Sequence, residues 1–208
     1  MRNASDPHYT YSNKLGRIFL LGLEEILGRT GLNALLNMAE LPRLIHTPLG
    51  GEVDLSFEDL SKILSTLEKM YGPHGGHGVA LRTGRACFKH SLHEFGPELG
   101  TQDMAFRLLP PDQKLVAQAE RLADLFNANS DQRVQVQEND EQIRWQIDRC
   151  PVCWGRQVAS PVCHLAVGLL QEACYSVSGG KLYNVEEQSC IARGDPTCTV
   201  VIDKQPFA

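Results

Sequence analysis

Residues 182–203 read LYNVEEQSCIARGDPTCTVVID, and this stretch decides the fold class. Two strand-like runs, 182–192 and 197–203, flank a linker rich in turn-forming residues. The pattern predicts two strands joined as a hairpin. If the turn is centred midway between Cys190 and Cys198, the two cysteines face each other with Cβ atoms roughly 4.5–5.5 Å apart. The hairpin therefore places two thiols close enough to bind one metal ion.

A third thiol comes from a separate element. The dipeptide Ser160-Pro161 is typical of an N-cap and the first helical residue, so we expect Cys163 in the first turn of a helix. The positive end of the helix dipole favours the thiolate there. Glu187 could add a carboxylate, but Glu187 and Cys190 point to opposite faces of a regular strand, so this pair requires a bulge. Glu186 is the alternative by simple alternation.

Three soft sulfurs and one carboxylate fit a closed, four-coordinate zinc site better than any common catalytic arrangement. A disulfide between Cys190 and Cys198 and a set of buried free thiols are the alternatives. The chain has seven cysteines, an odd number, and no visible secretory signal. We therefore expect a cytoplasmic protein in which a metal site is favoured over a disulfide framework.

A second cysteine pair, Cys150-x2-Cys153, lies in the predicted loop before the Cys163 helix. This spacing suits half of a zinc site or a redox dithiol. The redox motif normally begins a helix after a parallel strand, whereas the preceding strand here is predicted to be antiparallel. Two ligands do not complete a zinc site, so His164, the other histidines or a second copy of the chain would have to contribute. A tight loop with packed thiols is the purely structural alternative.

The rest of the chain predicts an α+β fold. Ser56 is an N-cap candidate with Asp59 three residues later, and the glycine-rich stretch 71–78 should break the helix that follows. Other helices are predicted at about 14–28, 31–39 and 111–128, and strands at about 132–138 and 142–149. The order helices, hairpin, helix, hairpin predicts a four-stranded antiparallel sheet covered by helices on one side.

The amino-acid composition is typical of a globular protein. A chain of 208 residues with 42% hydrophobic residues is expected to form one globular domain. We expect a flexible N-terminus over 1–12 and one domain over 13–208, with helices over 13–130 and the zinc-bearing sheet and helix over 131–204. A net charge of −5 disfavours nucleic acid as a partner. No run approaches the ~18 apolar residues of a transmembrane span.

The pattern V-x-E-x2-C-x-A-x-G-D-x2-C over residues 185–198, after a helix that contains Cys163 and Gly168, resembles the 4-vinyl reductase domain family. This family includes hydrocarbon-binding proteins and phenol-sensing domains of transcriptional activators. Its fold is similar to that of ligand-binding subunits of TRAPP vesicle-tethering complexes. The resemblance extends strongly over about 130–203 and weakly over 55–100. It implies a zinc ion bound by Cys163, Glu187, Cys190 and Cys198, which favours Glu187 over Glu186.

Aromatic side chains supply the candidate ligand site. We expect Trp145, Trp154 and Phe88 to line an apolar cavity between the sheet and its helices, although each is also a common core residue type. In the phenol-sensing branch a histidine and a tryptophan orient the ligand hydroxyl. Trp145 is the counterpart of that tryptophan, whereas residues 107–130 contain no histidine, which argues against small phenols.

Motifs for catalysis are absent from the sequence. There is no G-x-S-x-G, and no G-x-G-x2-G follows a predicted strand, so we expect binding rather than catalysis. The resemblance implies a zinc-containing carrier or sensor of a small hydrophobic molecule, foremost a tetrapyrrole or chlorophyll intermediate. It also implies a homodimer through the N-terminal helices, for which the apolar stretch 18–26 is suitable. The alternatives are a tetrapyrrole vinyl reductase or its accessory subunit, and a regulatory or assembly module that binds a partner protein.

Overall fold

The computed structural model describes residues 8–45, 53–100 and 103–207. The helices are α1 Asn13–Met38, α2 Pro42–Ile45, α3 Phe57–Glu94, α4 Met104–Leu108, α5 Pro111–Asn129 and α6 His164–Val177. The strands are β1 Arg133–Glu138, β2 Gln142–Arg149, β3 Tyr183–Ser189 and β4 Cys198–Pro206. The predicted order of helices, hairpin, helix and hairpin is confirmed. The sequence did not predict α2 and α4, because one helical turn is too short to show a periodic pattern.

The four strands form one antiparallel sheet in the order β1-β2-β4-β3, so the predicted α+β class is confirmed. On β2, the alternating residues Ile143, Trp145 and Ile147 are each at most 2% exposed, because they point towards the covering helices. The neighbouring residues of β2 are exposed or half-buried. The sheet therefore has one buried face, as its alternating pattern predicts.

Helices α3 and α6 cross in close backbone contact at two glycines. A Cβ atom added to Gly168 of α6 would lie 1.9 Å from the carbonyl oxygen of Leu81, and one added to Gly84 of α3 would lie 2.0 Å from that of Leu165. Neither approach leaves room for a side chain. These glycines fix the position of α6 and hence of Cys163, which immediately precedes it.

Two glycines kink the long helices. Gly28 in α1 has φ 69° and Gly72 in α3 has φ 73°, both in the region that residues with a Cβ rarely adopt. The two helices predicted at 14–28 and 31–39 are thus the two halves of α1. The prediction that the whole stretch 71–78 interrupts α3 is wrong. Only Gly72 leaves helical geometry, and Pro73 can start the second half because the first residue of a helix needs no N–H partner.

The N-terminal part of the chain packs into the domain. Ile18, Leu20 and Leu23 of α1 are at most 2% exposed, so they form core within one chain and are not available to a second copy. The homodimer stays a prediction. Within the segment expected to be flexible, Tyr11 N donates to Leu55 O at 3.0 Å, which holds this part against the chain before α3. Residues 1–7 lie outside the described residues.

No helix in the part of the chain that the structure describes is both long enough and apolar enough to cross a bilayer.

Candidate metal centre and ligand cavity

Five thiols from three parts of the chain meet in one buried cluster. Cys153 Sγ lies 3.6 Å from Cys163 Sγ and 3.4 Å from the Sγ atoms of both Cys190 and Cys198. Cys150 Sγ lies 3.5 Å from Cys163 Sγ. All five side chains are at most 3% exposed. The structure therefore joins the three predicted zinc-binding thiols and the separate pair of the sequence analysis in one cluster.

A register shift in the β3–β4 ladder aims both Glu187 and Cys190 inwards. Glu187 pairs with Val200, but Ser189 pairs with Thr199, so one extra residue is inserted between the two pairs. Glu187 is consequently 8% exposed and Cys190 is fully buried. Glu186 faces solvent, so the alternative carboxylate of the sequence analysis lies on the wrong face.

Cys163 does not lie in the first turn of a helix, as the sequence led us to expect. Helix α6 begins one residue later, at His164, and Cys163 occupies the N-cap position. The N–H of Cys163 donates to Glu187 Oε2 at 2.6 Å, so a carboxylate from β3 caps this chain segment from outside the helix. The Ser160-Pro161 signal therefore placed the start of α6 too early, because the link to Glu187 is a tertiary contact.

Glu187 has one oxygen without a partner. Its Oε2 accepts the Cys163 N–H, whereas its Oε1 is buried and has no hydrogen bond within the described residues. Burial raises the pKa of this carboxyl to about 8. An unsatisfied buried carboxylate oxygen costs free energy unless a proton or a cation binds it.

The loop after β2 presents the Cys150–Cys153 pair. Arg156 N donates to Cys153 O at 3.0 Å, which closes a tight turn after the pair. Ser61 Oγ of α3 donates to Trp154 O at 2.7 Å. The Arg156 guanidinium pairs with Glu68 of α3 at 2.7 Å, and its side chain is only 8% exposed. Helix α3 therefore holds this loop against the hairpin.

The cluster favours thiolate at some positions and thiol at others. Hydrogen bonds from Cys150, and then from Cys163 and Cys190, lower the pKa of Cys153. Contacts with Cys150 and Cys153 raise the pKa of both Cys163 and Cys198, since crowded thiols cannot all ionise without a cation. Ile191 N also donates to Cys198 Sγ at 3.2 Å. The site thus favours anionic sulfur at some positions and needs positive charge to hold thiolates at all five.

The donor set fits zinc. Two groups of four residues each bring one donor atom per residue within 4.8 Å of all the others. Among Cys150, Cys153, Cys163 and Cys198, the Sγ–Sγ contacts of 3.4–3.6 Å are close to the edge of about 3.8 Å that a tetrahedron with Zn–S bonds of about 2.3 Å requires. The two groups are Cys150, Cys153, Cys163 and Cys198, and Cys163, Glu187, Cys190 and Cys198.

The other cysteines and the nearest histidine stand apart from this cluster. All seven cysteines are free, and burial raises the pKa of both Cys87 and Cys174 to about 12, so these two are neutral thiols within the core. The His164 ring lies 4.0 Å from the His77 ring, between their centroids. His164 belongs to neither group of four donors. The partners of the Cys150–Cys153 pair are therefore thiols and not His164.

Two neighbouring apolar cavities, each of about 50 Å³, lie in the interior, the first among the helices and the second between helices and the sheet. Cavity 1 is enclosed by residues that include Ile18, Leu60 and Cys87 of α1 and α3. Cavity 2 extends to the sheet and to the cysteine loop, where Cys150 forms part of its wall. The two cavities share the lining residues Tyr11, Phe126, Leu165 and Leu169.

Polar groups, among them Gln132 and Tyr11, interrupt these apolar linings. Gln132 lines cavity 2 and is 9% exposed, and its Oε1 has no hydrogen-bond partner within the described residues. Tyr11 lines both cavities, and burial raises its pKa, so it is a neutral phenol that can donate or accept a hydrogen bond. Neither residue was predicted from the sequence, because an isolated polar residue near a strand or a helix start gives no pattern.

The three aromatic residues predicted to bind ligand have different positions. Trp145 lines cavity 2. Phe88 is fully buried but lines neither cavity, and Trp154 packs edge-on against Tyr9 with ring centroids 5.1 Å apart. Only Trp145 is therefore placed to touch a molecule in these cavities.

Comparison with known proteins bears on this part of the chain. The family model of the 4-vinyl reductase domain matches residues 143–204, a range that contains every residue of the cysteine cluster. The resemblance predicted from the sequence is therefore confirmed over this range. No curated protein matches the chain.

Solved structures resemble the fold at low sequence identity. An H-NOX protein from S. oneidensis in the Fe(II)NO ligation state is 16% identical, with 92% of this chain and 99% of that chain covered and a TM-score of 0.56. A mutant of T. tengcongensis H-NOX is 13% identical, with 95% and 100% covered and a TM-score of 0.59. The phenol-responsive sensory domain of the transcription activator PoxR with phenol is 17% identical, with 74% and 78% covered and a TM-score of 0.52. These likenesses show a shared fold.

Proposed function

We propose that this chain, which carries a 4-vinyl reductase domain over residues 143–204, is a zinc-containing carrier or sensor of a small, largely apolar molecule with one hydrogen-bond donor. The observation that carries the proposal is the Gln132 carbonyl, which is buried without a partner among the described residues in the wall of an apolar cavity. A buried acceptor without a hydrogen bond costs about 1–3 kcal/mol. A hydroxyl or N–H group of a ligand would remove that cost.

The cavity volumes bear on ligand size. Pockets for drug-sized ligands measure about 300–1,000 Å³, whereas each cavity here measures about 50 Å³. Rotation of the shared side chains Phe126 and Leu169 would join the two cavities into space for one aromatic ring. The tetrapyrrole or chlorophyll intermediate implied by the resemblance is far larger, and its binding would require the helices around the cavities to move apart. The closed structure therefore favours the smaller ligand.

Zinc would act as a structural ion. Cys163, Glu187, Cys190 and Cys198 supply four protein ligands, which leave no open position for a catalytic water. Their bonds would tie the start of α6 to the β3–β4 hairpin. Since Leu165 and Leu169 of α6 line both cavities, the ion would stabilise one wall of the ligand site.

The comparisons support a ligand-binding role. The PoxR structure carries phenol, and the H-NOX structures of the same fold include an oxygen complex and an Fe(II)NO ligation state. A histidine that would orient a phenol is missing from residues 107–130 of this chain. Gln132 and Tyr11 offer a different set of hydrogen-bonding groups for the same kind of ligand.

A matched pair of probes tests the proposal. Calorimetry measures the affinities of phenol and benzene, which are the same ring with and without a hydrogen-bond donor. Each affinity is measured for the zinc-loaded wild type and for Gln132→Met, which keeps the side-chain length. We expect the wild type to bind phenol more tightly than benzene, and Gln132→Met to lose about tenfold in phenol affinity while benzene binding is unchanged. Equal losses for the two probes, or binding of neither, would contradict the role of Gln132. Mass spectrometry of organic extracts from natively purified protein would then identify the natural ligand.

A further inference from the structure

We infer that the cysteine cluster binds two zinc ions that share the thiolates of Cys163 and Cys198. This inference rests on the zinc site proposed above and adds a second ion to it. The ligands of the added ion are Cys150, Cys153, Cys163 and Cys198, and those of the other ion are Cys163, Glu187, Cys190 and Cys198. A thiolate sulfur has enough lone pairs to bridge two metal ions.

The first observation is that the cluster contains two complete donor sets and not one. Each set has four donor atoms that all lie within 4.8 Å of one another, and the sets have Cys163 and Cys198 in common. Every member of both sets is at most 8% exposed. Four protein ligands in a closed, buried site are what structural zinc requires.

The second observation concerns the Cys150–Cys153 loop. A C-x2-C pair in a tight turn is a common zinc half-site, in which both sulfurs bind the same ion. The sequence alone did not show what completes this half-site. The structure supplies Cys163, 3.5 Å from Cys150 and 3.6 Å from Cys153, and Cys198, 3.4 Å from Cys153.

The third observation concerns Glu187. Glu187 Oε1 is buried and has no partner within the described residues, and it belongs to the set without the C-x2-C pair. An ion bound only to the set that contains Cys150 and Cys153 would leave this carboxylate oxygen unsatisfied. An ion bound only to the Glu187 set would leave two thiols of a zinc half-site without a metal. Two ions satisfy both sides.

The charge of the donors agrees with two ions. Five thiolates and one carboxylate carry six negative charges, and two zinc ions supply four positive charges, which leaves the same net charge as one ion with four anionic ligands. Cys153 and Cys190 would bind different ions, and their Sγ atoms lie 3.4 Å apart. Loading of both ions should therefore push these two sulfurs apart.

Native mass spectrometry of the full chain, reconstituted with zinc under anaerobic and reducing conditions, counts the bound ions. We expect two zinc ions per wild-type chain and one in the double variant Cys150→Ser/Cys153→Ser. Cys174→Ser, a buried cysteine of α6 outside the cluster, is the matched control and should retain two. One zinc ion in the wild type would overturn the inference while leaving the proposed zinc site intact. No bound zinc would overturn both.

Cobalt(II) tests the shared thiolates without any variant. During titration of the wild-type chain, the paramagnetic resonance signal should grow up to one equivalent of cobalt(II). It should then fall towards two equivalents, because unpaired electrons of two ions couple through bridging sulfurs. A signal that doubles between one and two equivalents would show two independent ions and would overturn the sharing of Cys163 and Cys198.

Discussion

The backbone N–H of Cys163 donates to Glu187 Oε2 across 2.6 Å, and this bond joins the start of α6 to the edge strand β3. Both residues are buried, and both belong to the same set of metal donors. One carboxylate thus orients a thiol through its first oxygen and offers its second oxygen to a metal ion. Outer-sphere contacts of this kind hold metal ligands in position in many proteins.

Glu187→Gln should separate these two roles. The amide oxygen can still accept the Cys163 N–H, but the anionic ligand is lost. We expect zinc affinity to fall by more than about 100-fold, since even outer-sphere changes commonly cost 10–100-fold. Competition with a chromophoric chelator measures this affinity. Glu186→Gln, on the exposed face of the same strand, is the control and should leave zinc affinity unchanged. Equal affinities for all three proteins would exclude Glu187 as a ligand.

Removal of the metal should destabilise the fold reversibly. A strong chelator in reducing buffer is expected to lower the thermal midpoint, because buried thiolates lose their counter-charge and α6 loses its link to the hairpin. Added zinc should restore the midpoint. Magnesium should not, since it prefers oxygen ligands. Scanning calorimetry checks this prediction, and an unchanged midpoint after complete chelation would show that the cluster does not depend on metal.

Gly168→Ala should destabilise the domain through the α3–α6 contact. The added methyl would lie 1.9 Å from Leu81 O, so one helix must shift, at a cost of about 1–3 kcal/mol or more. The matched change Gly78→Ala, at a helical position of α3 with nothing within 4 Å, should stabilise by about 0.5–1 kcal/mol. Urea denaturation of the two variants measures both effects. Similar stabilities would mean that the close helix crossing is not maintained in solution.

Leu169→Phe should reduce ligand binding, because Leu169 lines both cavities and a larger side chain occupies their common wall. We expect the affinity for phenol to fall at least about tenfold, a change of about 1.4 kcal/mol. The same substitution at Leu182, which is 58% exposed, controls for the added ring. If Leu169→Phe binds phenol as well as Leu182→Phe does, the ligand lies elsewhere.

Local patterns in the sequence were sufficient to predict most of the fold. Alternation at Ile143, Trp145 and Ile147 predicted the buried face of β2, and the Ser56–Asp59 capping box predicted the start of α3, where both reciprocal hydrogen bonds are present. These signals depend on neighbours within a few residues. The kink at Gly72 was harder to predict, because several glycines of the same stretch are compatible with a helix.

The site was less accessible to sequence reasoning, because its contacts are tertiary. Joint metal binding by Glu187 and Cys190 required a bulge, and the structure has a register shift there. Nothing in the local sequence places Cys153 against Cys198, since their 3.4 Å contact depends on how α3 holds the loop against the hairpin. The role of Gln132 could not be predicted from the sequence for a similar reason. Its lack of a partner among the described residues becomes evident only when the surrounding cavity is known.

Zinc-edge X-ray absorption of the natively purified, reduced protein tests the central claim most directly, that the buried thiol cluster is a zinc centre. The account predicts a first shell dominated by sulfur at about 2.3 Å with a minor oxygen contribution at about 2.0–2.2 Å. A shell of nitrogen and oxygen alone, or a protein without zinc whose cluster thiols react freely in the folded state, would contradict it.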